Sequence, residues 1–293
     1  MVYLSGRVHQ YLRVNQNSMF SLDEFQKMSN YCIDKGKISN YYTGKALEKW
    51  GEKRYIEVSM RVFWALLMMT AGCTLWGLPE WLVPLRDAIY EQKLKADEIV
   101  PLYRAAQAAA GERCSGAALD LALSRCEYLM GRALQYEERN NEARVHYNEG
   151  MRLAEKALEA EPSAEGWLMR AENLSQACAL GPLSFTMSNG LNVEKFAKNA
   201  LALNSRNAAA QYIVAARWVF APAPLSNHKR GIEMMQAILV NGDLEKDDLF
   251  NVNLAIGYAY IQQKKYDEAR PWLLKSLEVY PTNKFAAEQL AKK

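Results

Sequence analysis

The chain has 293 residues, half of them hydrophobic and 24% charged, which supports a sizeable core and argues against disorder throughout. Its formal charge of +3 comes from residues 1–72, where 10 Lys/Arg face 6 Asp/Glu; the remainder holds 26 against 27. That near-neutral body has no basic stripe to displace counterions, so nucleic acid is not an expected partner. The histidines (His9, His146, His228) and cysteines (Cys32, Cys73, Cys114, Cys126, Cys178) follow no metal-ligand spacing. No metal and no cofactor is expected.

Residues 1–59 carry scattered Tyr and Asn, no sustained period, and interruptions at Gly6, Gly36, Gly44 and Gly51. Residues 62–71 then read VFWALLMMTA without a charge, after Lys53, Arg54 and Arg61 and ahead of Gly72 and Cys73. Ten apolar residues are too few for a membrane span, which needs about 20. A basic flank, a short apolar run and small residues make the layout of a secretory signal. Met60 stands at its head, so residues 60–72 read as a signal segment and 1–59 as a mis-called start; a small cytoplasmic extension is the alternative. An uncleaved membrane helix, weakened by Pro79, Glu80 and Pro84, and a buried helix also stay open.

Ala71-Gly72-Cys73 resembles the lipobox of bacterial lipoproteins, which implies acylation of Cys73 as the first residue of the mature chain. Thr70 departs from that pattern, where the family prefers Leu.

From Pro84 onward the periodicity is helical. Residues 85–95 and 97–110 read as an N-terminal helix pair, the second rich in Ala and ended by Gly111. The clearest later unit spans 250–281. It carries Ile256, Gly257, Tyr260, Ala269, Leu273 and Pro281, with the turn KKYDEA at 264–269. Small residues there let two helices approach, and large ones fill the gaps. The pattern resembles the tetratricopeptide repeat of about 34 residues, with departures at Asn253 and Ser276.

Three weaker units precede it. In residues 124–162, Gly131 and Ala143 repeat the separation of Gly257 and Ala269, Tyr147 takes the large position, and the proline comes seven residues late. A second helix longer by about two turns follows. Trp167, Ala171 and Leu174 mark the next first helix and 193–204 its second, joined by LGPLSFTMSNG at 180–190. Tyr212, Ala215 and Trp218 mark the third and 232–239 its partner, joined by APAPLSNHK at 221–229. The two long joints are expected on one edge, as a lip over a pocket or a partner surface, with harmless insertion as the alternative. The expected fold class is all-α: over residues 73–293, an antiparallel helix-pair solenoid of about four tetratricopeptide-like repeats plus an N-terminal helix pair.

No GxSxG, P-loop or strand-embedded GxGxxG is present, and Glu137-Glu138 and Asp247-Asp248 read as solvated faces or turns, so an enzyme is not expected. The repeat resemblance implies that first helices line the concave face. It places there Tyr128, Arg132, Gln135 and Tyr136, then Glu172 and Gln176, then Tyr212 and Phe220, and last Asn251, Tyr258 and Gln262. Aromatic, Arg and amide groups suit a ligand or partner groove, although packing of the rings and an Arg132–Glu172 pair are the plain alternatives.

A lipoprotein signal, degenerate repeats with long central joints and the stretch NGLNVEKFAKNALALNSRNAAA at 189–210 together resemble the T component of TRAP (tripartite ATP-independent periplasmic) transporters. That resemblance implies a lipid-anchored protein on the periplasmic side of a bacterial membrane. It implies association with the periplasmic solute-binding protein, a homotrimer, and a small hydrophobic ligand. The alternative is a tetratricopeptide scaffold or assembly lipoprotein that binds peptide segments of envelope proteins.

Overall fold

The computed structural model describes residues 78–222 and 224–292. The signal segment 60–72, Cys73 and residues 1–59 lie outside them. Among the described residues, a 3-10 turn, Glu80–Leu82, is followed by eleven α-helices in order. The N-terminal pair is α1 (Val83–Glu91) and α2 (Ala96–Arg113). Four pairs follow: α3 (Gly116–Tyr136) with α4 (Asn140–Ala160), α5 (Ala164–Leu180) with α6 (Leu183–Leu203), α7 (Ala208–Phe220) with α8 (His228–Asn241), and α9 (Lys246–Gln262) with α10 (Tyr266–Val279). A short helix, α11 (Lys284–Leu290), ends the series. Among the described residues the only β feature is an isolated parallel bridge between Asn207 and Asp243. Sequential neighbours pack on one another, as expected for a tetratricopeptide-like solenoid.

Short side chains set the crossings. A Cβ on Gly131 would sit 2.5 Å from the Tyr147 ring, and one on Gly257 would sit 2.6 Å from Leu273. Ala171 and Ala215 are fully buried at the corresponding places in the middle pairs. The α3–α4 and α9–α10 turns each use one left-handed residue, Glu138 (φ 60°) and Lys264 (φ 59°). The first and fourth pairs therefore share crossing and turn alike. A further crossing escapes the sequence pattern: a Cβ on Gly150 would collide with the Asn173 amide, and Ser124 Oγ donates to the Gly150 carbonyl at 2.7 Å.

Side-chain caps fix several helix starts. Ser163, Asn207, Asn227 and Asn283 each accept a hydrogen bond from the backbone N–H three residues on. α4 has 21 residues against 14 in α10, the two extra turns expected from the late proline.

Two expectations fail. Residues 180–190 are not a long joint. Leu180 ends α5, the connection is Gly181-Pro182, and residues 183–190 form the first turns of α6. Pro182 at the N-cap presets the entry, the Thr186 hydroxyl donates to the Cys178 carbonyl at 2.7 Å, and the Asn189 amide donates to the Phe185 carbonyl at 3.0 Å. Gly190 costs only about 1 kcal/mol relative to Ala in such a helix. The two-joint lip therefore does not exist; only 221–227 remains as a connection. Gly111 does not end α2, which continues to Arg113.

The path also closes. α1 packs against the last repeat, as Tyr90 stacks on Tyr280 (centroids 5.1 Å, 18°) and meets Phe250 edge-on at 5.5 Å. Asn283 donates to the Tyr90 carbonyl at 2.8 Å, Thr282 to the Glu91 carbonyl at 2.6 Å, and the Tyr280 hydroxyl to Asp87 at 2.9 Å. Lys246 reaches Asp87 at 2.9 Å, and Arg86 lies 3.4 Å from Asp247.

Candidate functional site

The first helices of the pairs, α3, α5, α7 and α9, bring their N-terminal halves together around a cavity of about 780 Å³. Leu78 and Leu82, Leu121, Leu168 and Leu244 supply its apolar wall. Interspersed are Arg125 on α3, Glu165 and Glu172 on α5, and Glu245, Asp247 and Asp248 at the start of α9. Leu121 and Arg125 are one turn apart, as are Leu168 and Glu172, so apolar and charged groups alternate along each helix.

Arg125, the one Lys or Arg lining this wall, is committed, and so is Arg86, which stands outside the lining and pairs with its carboxylates. Arg125 Nε donates to Glu165 Oε1 at 3.1 Å, and a second guanidinium nitrogen reaches the same oxygen. Arg86 is held by Asp87 at 3.0 Å, Asp247 at 3.4 Å and Glu245 at 3.6 Å. The carboxylates are less well served. Glu172 Oε2 is shielded from solvent and accepts no hydrogen bond. Burial pushes the Glu172 carboxyl up to about 8; Arg125 opposes the rise, and Glu165, Asp247 and Asp248 add to it. Burial and adjacent Asp247 raise Asp248 to about 7, partly offset by the Glu245 backbone N–H, which donates to it at 3.1 Å. Asp248 is buried, not a solvated turn residue, and forms a capping box with Glu245. Acidic residues three apart before an apolar run were the available signal.

The sequence-derived groove residues fall into separate groups. Arg132 lies in a cradle of tyrosines: it donates to the hydroxyls of Tyr128 (3.0 Å) and Tyr136, with its guanidinium 5.1 Å from the Tyr136 ring and 5.8 Å from that of Tyr90. It does not pair with Glu172. Tyr212 lies within electrostatic reach of Arg132, and burial raises its hydroxyl to about 12. Asn251 joins the cradle by donating to the Tyr90 hydroxyl at 3.0 Å. Gln135 accepts from the Tyr147 hydroxyl at 2.6 Å and so ties α3 to α4. Phe220 and Tyr258 form an aromatic ladder with Phe285 of α11, at 5.1 and 6.4 Å. Gln176 is half-buried and Gln262 exposed, apart from both groups. Glu172 alone of the eleven lines the cavity. Arg125, Glu165, Glu245, Asp247 and Asp248 were missed, because they fall outside the repeat positions carried over from the family.

A second polar cluster is structural. Glu127 on α3 accepts from the Tyr103 hydroxyl at 2.5 Å and Gln107 at 3.2 Å on α2, and meets His146 Nδ1 on α4 at 2.6 Å. The Cys126 thiol is buried and raised to about 12 by desolvation and adjacent Glu127. Among the described residues no three His, Cys, Asp or Glu side chains converge to hold a metal ion. Among the same residues no helix is long and apolar enough to cross a membrane.

The tetratricopeptide repeat family model matches residues 250–283. No curated protein matches the chain. Among solved structures, a thermophilic tetratricopeptide-repeat protein of Thermus thermophilus is similar at 15% identity, covering 72% of this chain and 97% of its own, with a TM-score of 0.47. The described residues thus form an all-helical solenoid of paired helices whose last complete pair matches the tetratricopeptide repeat.

Proposed function

We propose that the chain is a non-enzymatic binding subunit, anchored through an acylated Cys73 on the periplasmic side of a bacterial membrane. It holds a small ligand and docks a solute-binding protein, as the T component of a TRAP transporter does. The observation that carries the ligand-holding part is the cavity between the first helices. Its volume of about 780 Å³ lies in the range of small-molecule sites, about 300–1,000 Å³. Closure by α1 supports the same reading, since Tyr90 engages Arg132 and Asn251, groove positions that an extended peptide would need. For docking, α6 offers Leu183, Met187 and Leu191, spaced by four and 74%, 75% and 80% exposed. Homotrimer formation belongs to the same proposal.

Native purification followed by identification of co-eluting proteins tests it. A periplasmic solute-binding protein is expected, and its loss is expected in the Leu183→Asp/Met187→Asp double variant. Recovery of no such protein from intact envelopes overturns the transporter assignment. Radiolabelled palmitate that fails to label wild type, or labels Cys73→Ala equally, overturns the anchor. A second reading, a scaffold for peptide segments of envelope proteins, draws on the aromatic ladder, whose Phe220 and Phe285 are 45% and 39% exposed. It requires peptide-array binding that is lost on Tyr258→Ala.

A further inference from the structure

The geometry points to an organic cation with an apolar body, an alkylammonium or alkylguanidinium compound, as the ligand class of this cavity. The inference rests on the ligand-holding reading above and names its chemistry.

Three observations carry it. First, the wall combines leucines with carboxylates, and Arg125, the one Lys or Arg that lines it, is already engaged by Glu165. An anionic ligand would find no uncommitted positive charge there. Second, Glu172 Oε2 is shielded from water and accepts no hydrogen bond. Buried polar atoms are rarely left so, and this one stands at the cavity wall without a partner. Third, the charge is spread. Glu172 projects from α5, one turn from apolar Leu168, while Asp247 and Asp248 project from α9. With no three such groups converging on one point among the described residues, the wall suits an extended organic cation better than a metal ion.

The groups facing Glu172 from the packed elements are Arg125 on α3, Glu165 on its own helix, and Asp247 and Asp248 on α9. Their net effect with burial leaves its carboxyl mostly protonated at neutral pH. An alkylamine, with a pKa of about 10.4 for a lysine-like group, stays charged there. Its entry turns the protonated acid into a carboxylate–ammonium pair and expels the acid's proton to solvent. Binding is therefore coupled to proton release near pH 7.

The test is isothermal titration of purified full-length protein with octylammonium, 1-octanol and octanoate, which share a chain and differ in charge. Octylammonium is expected to bind at least tenfold tighter than the other two. Its apparent enthalpy at pH 7 should differ between phosphate and Tris buffers by the amount that proton release dictates. Glu172→Gln should weaken it at least tenfold and abolish the buffer dependence, with the helical circular dichroism unchanged. Ala118→Phe, at an exposed position on the cavity rim, should block it sterically and so locate it. Octanol or octanoate binding as tightly, with loss on Ala118→Phe, overturns the cation inference and leaves the ligand-holding reading intact. Binding of none of the three overturns the inference, and the partner pull-down then decides the broader reading separately. Octylammonium binding that survives both substitutions also overturns it.

Discussion

At the residue scale, the most exacting positions are those where a hydrogen replaces a side chain. Gly257 admits Leu273 so closely that an added methyl would stand 2.6 Å from its branched carbon, in a core with no room to yield. Gly257→Ala is expected to lose about 1–3 kcal/mol in urea denaturation, overpacking outweighing the gain in helix propensity. Gly111→Ala, with nothing within 4 Å of the new methyl, is the control and should be neutral or stabilising. Glu172 makes a different demand. Its carboxyl is raised from 4.5 to about 8, so between these values the folded state keeps a proton that the unfolded chain has lost. Its contribution to stability therefore falls as pH rises through that window and is flat above about 9. Glu172→Gln should melt on the order of 3–6 °C higher than wild type at pH 9 and show little difference at pH 4, read by thermal circular dichroism.

At the element scale, each helix is specified largely by its own ends and by one apolar stripe. Asn207 caps α7 through the Ala210 N–H at 2.8 Å, and Asn207→Ala is expected to lose about 1 kcal/mol, checked by chemical denaturation. α2 depends on the Glu127 cluster, where one buried carboxylate serves Tyr103, Gln107 and His146. Glu127→Ala leaves those partners unsatisfied and should cost about 2–4 kcal/mol, with α2 the first helix to gain in hydrogen exchange. α6 illustrates how an element escapes its sequence signals. Pro182, Ser184, Ser188, Asn189 and Gly190 read as a loop, yet side chains bonding back to carbonyls four residues earlier, such as Ser188 to Ser184 at 2.9 Å, are compatible with helix. The same turns leave Leu183, Met187 and Leu191 facing outward. Their spacing of four was itself a helical signal, hidden among the Gly-Pro, Ser and Asn-Gly breakers around it.

At the scale of the whole molecule, closure is the feature with the widest consequences. Tyr280 joins Tyr90, Phe250 and Asp87, and Asn283 adds the Tyr90 carbonyl, so α1, α9 and the α10–α11 corner form one cooperative unit. Tyr280→Ala is expected to cost about 3–5 kcal/mol, and hydrogen exchange should rise in α1 as well as α11, although the two are far apart in the chain. Faster exchange in α11 alone would mean that closure is not a stability unit.

The sequence by itself determined the helix pairs. Gly131 with Tyr147 and Gly257 with Leu273 encode each crossing through short-range steric fit, and that information lies within one repeat. The identity of Arg132 and the tyrosines around it was legible for the same reason, since residues 128, 132 and 136 share one face of α3 by helical period alone. The tertiary structure decided what faces what across the superhelix. Contacts such as Asn251 to Tyr90 and Asn283 to Tyr90 span 161 and 193 residues. They arise from small rotations accumulated over every pair, which no local pattern records. The cavity and its acidic wall follow from that accumulated geometry. Charged groups that look solvated on their own helices face one another once four helices converge, and only then does Glu172 hold its proton up to about 8.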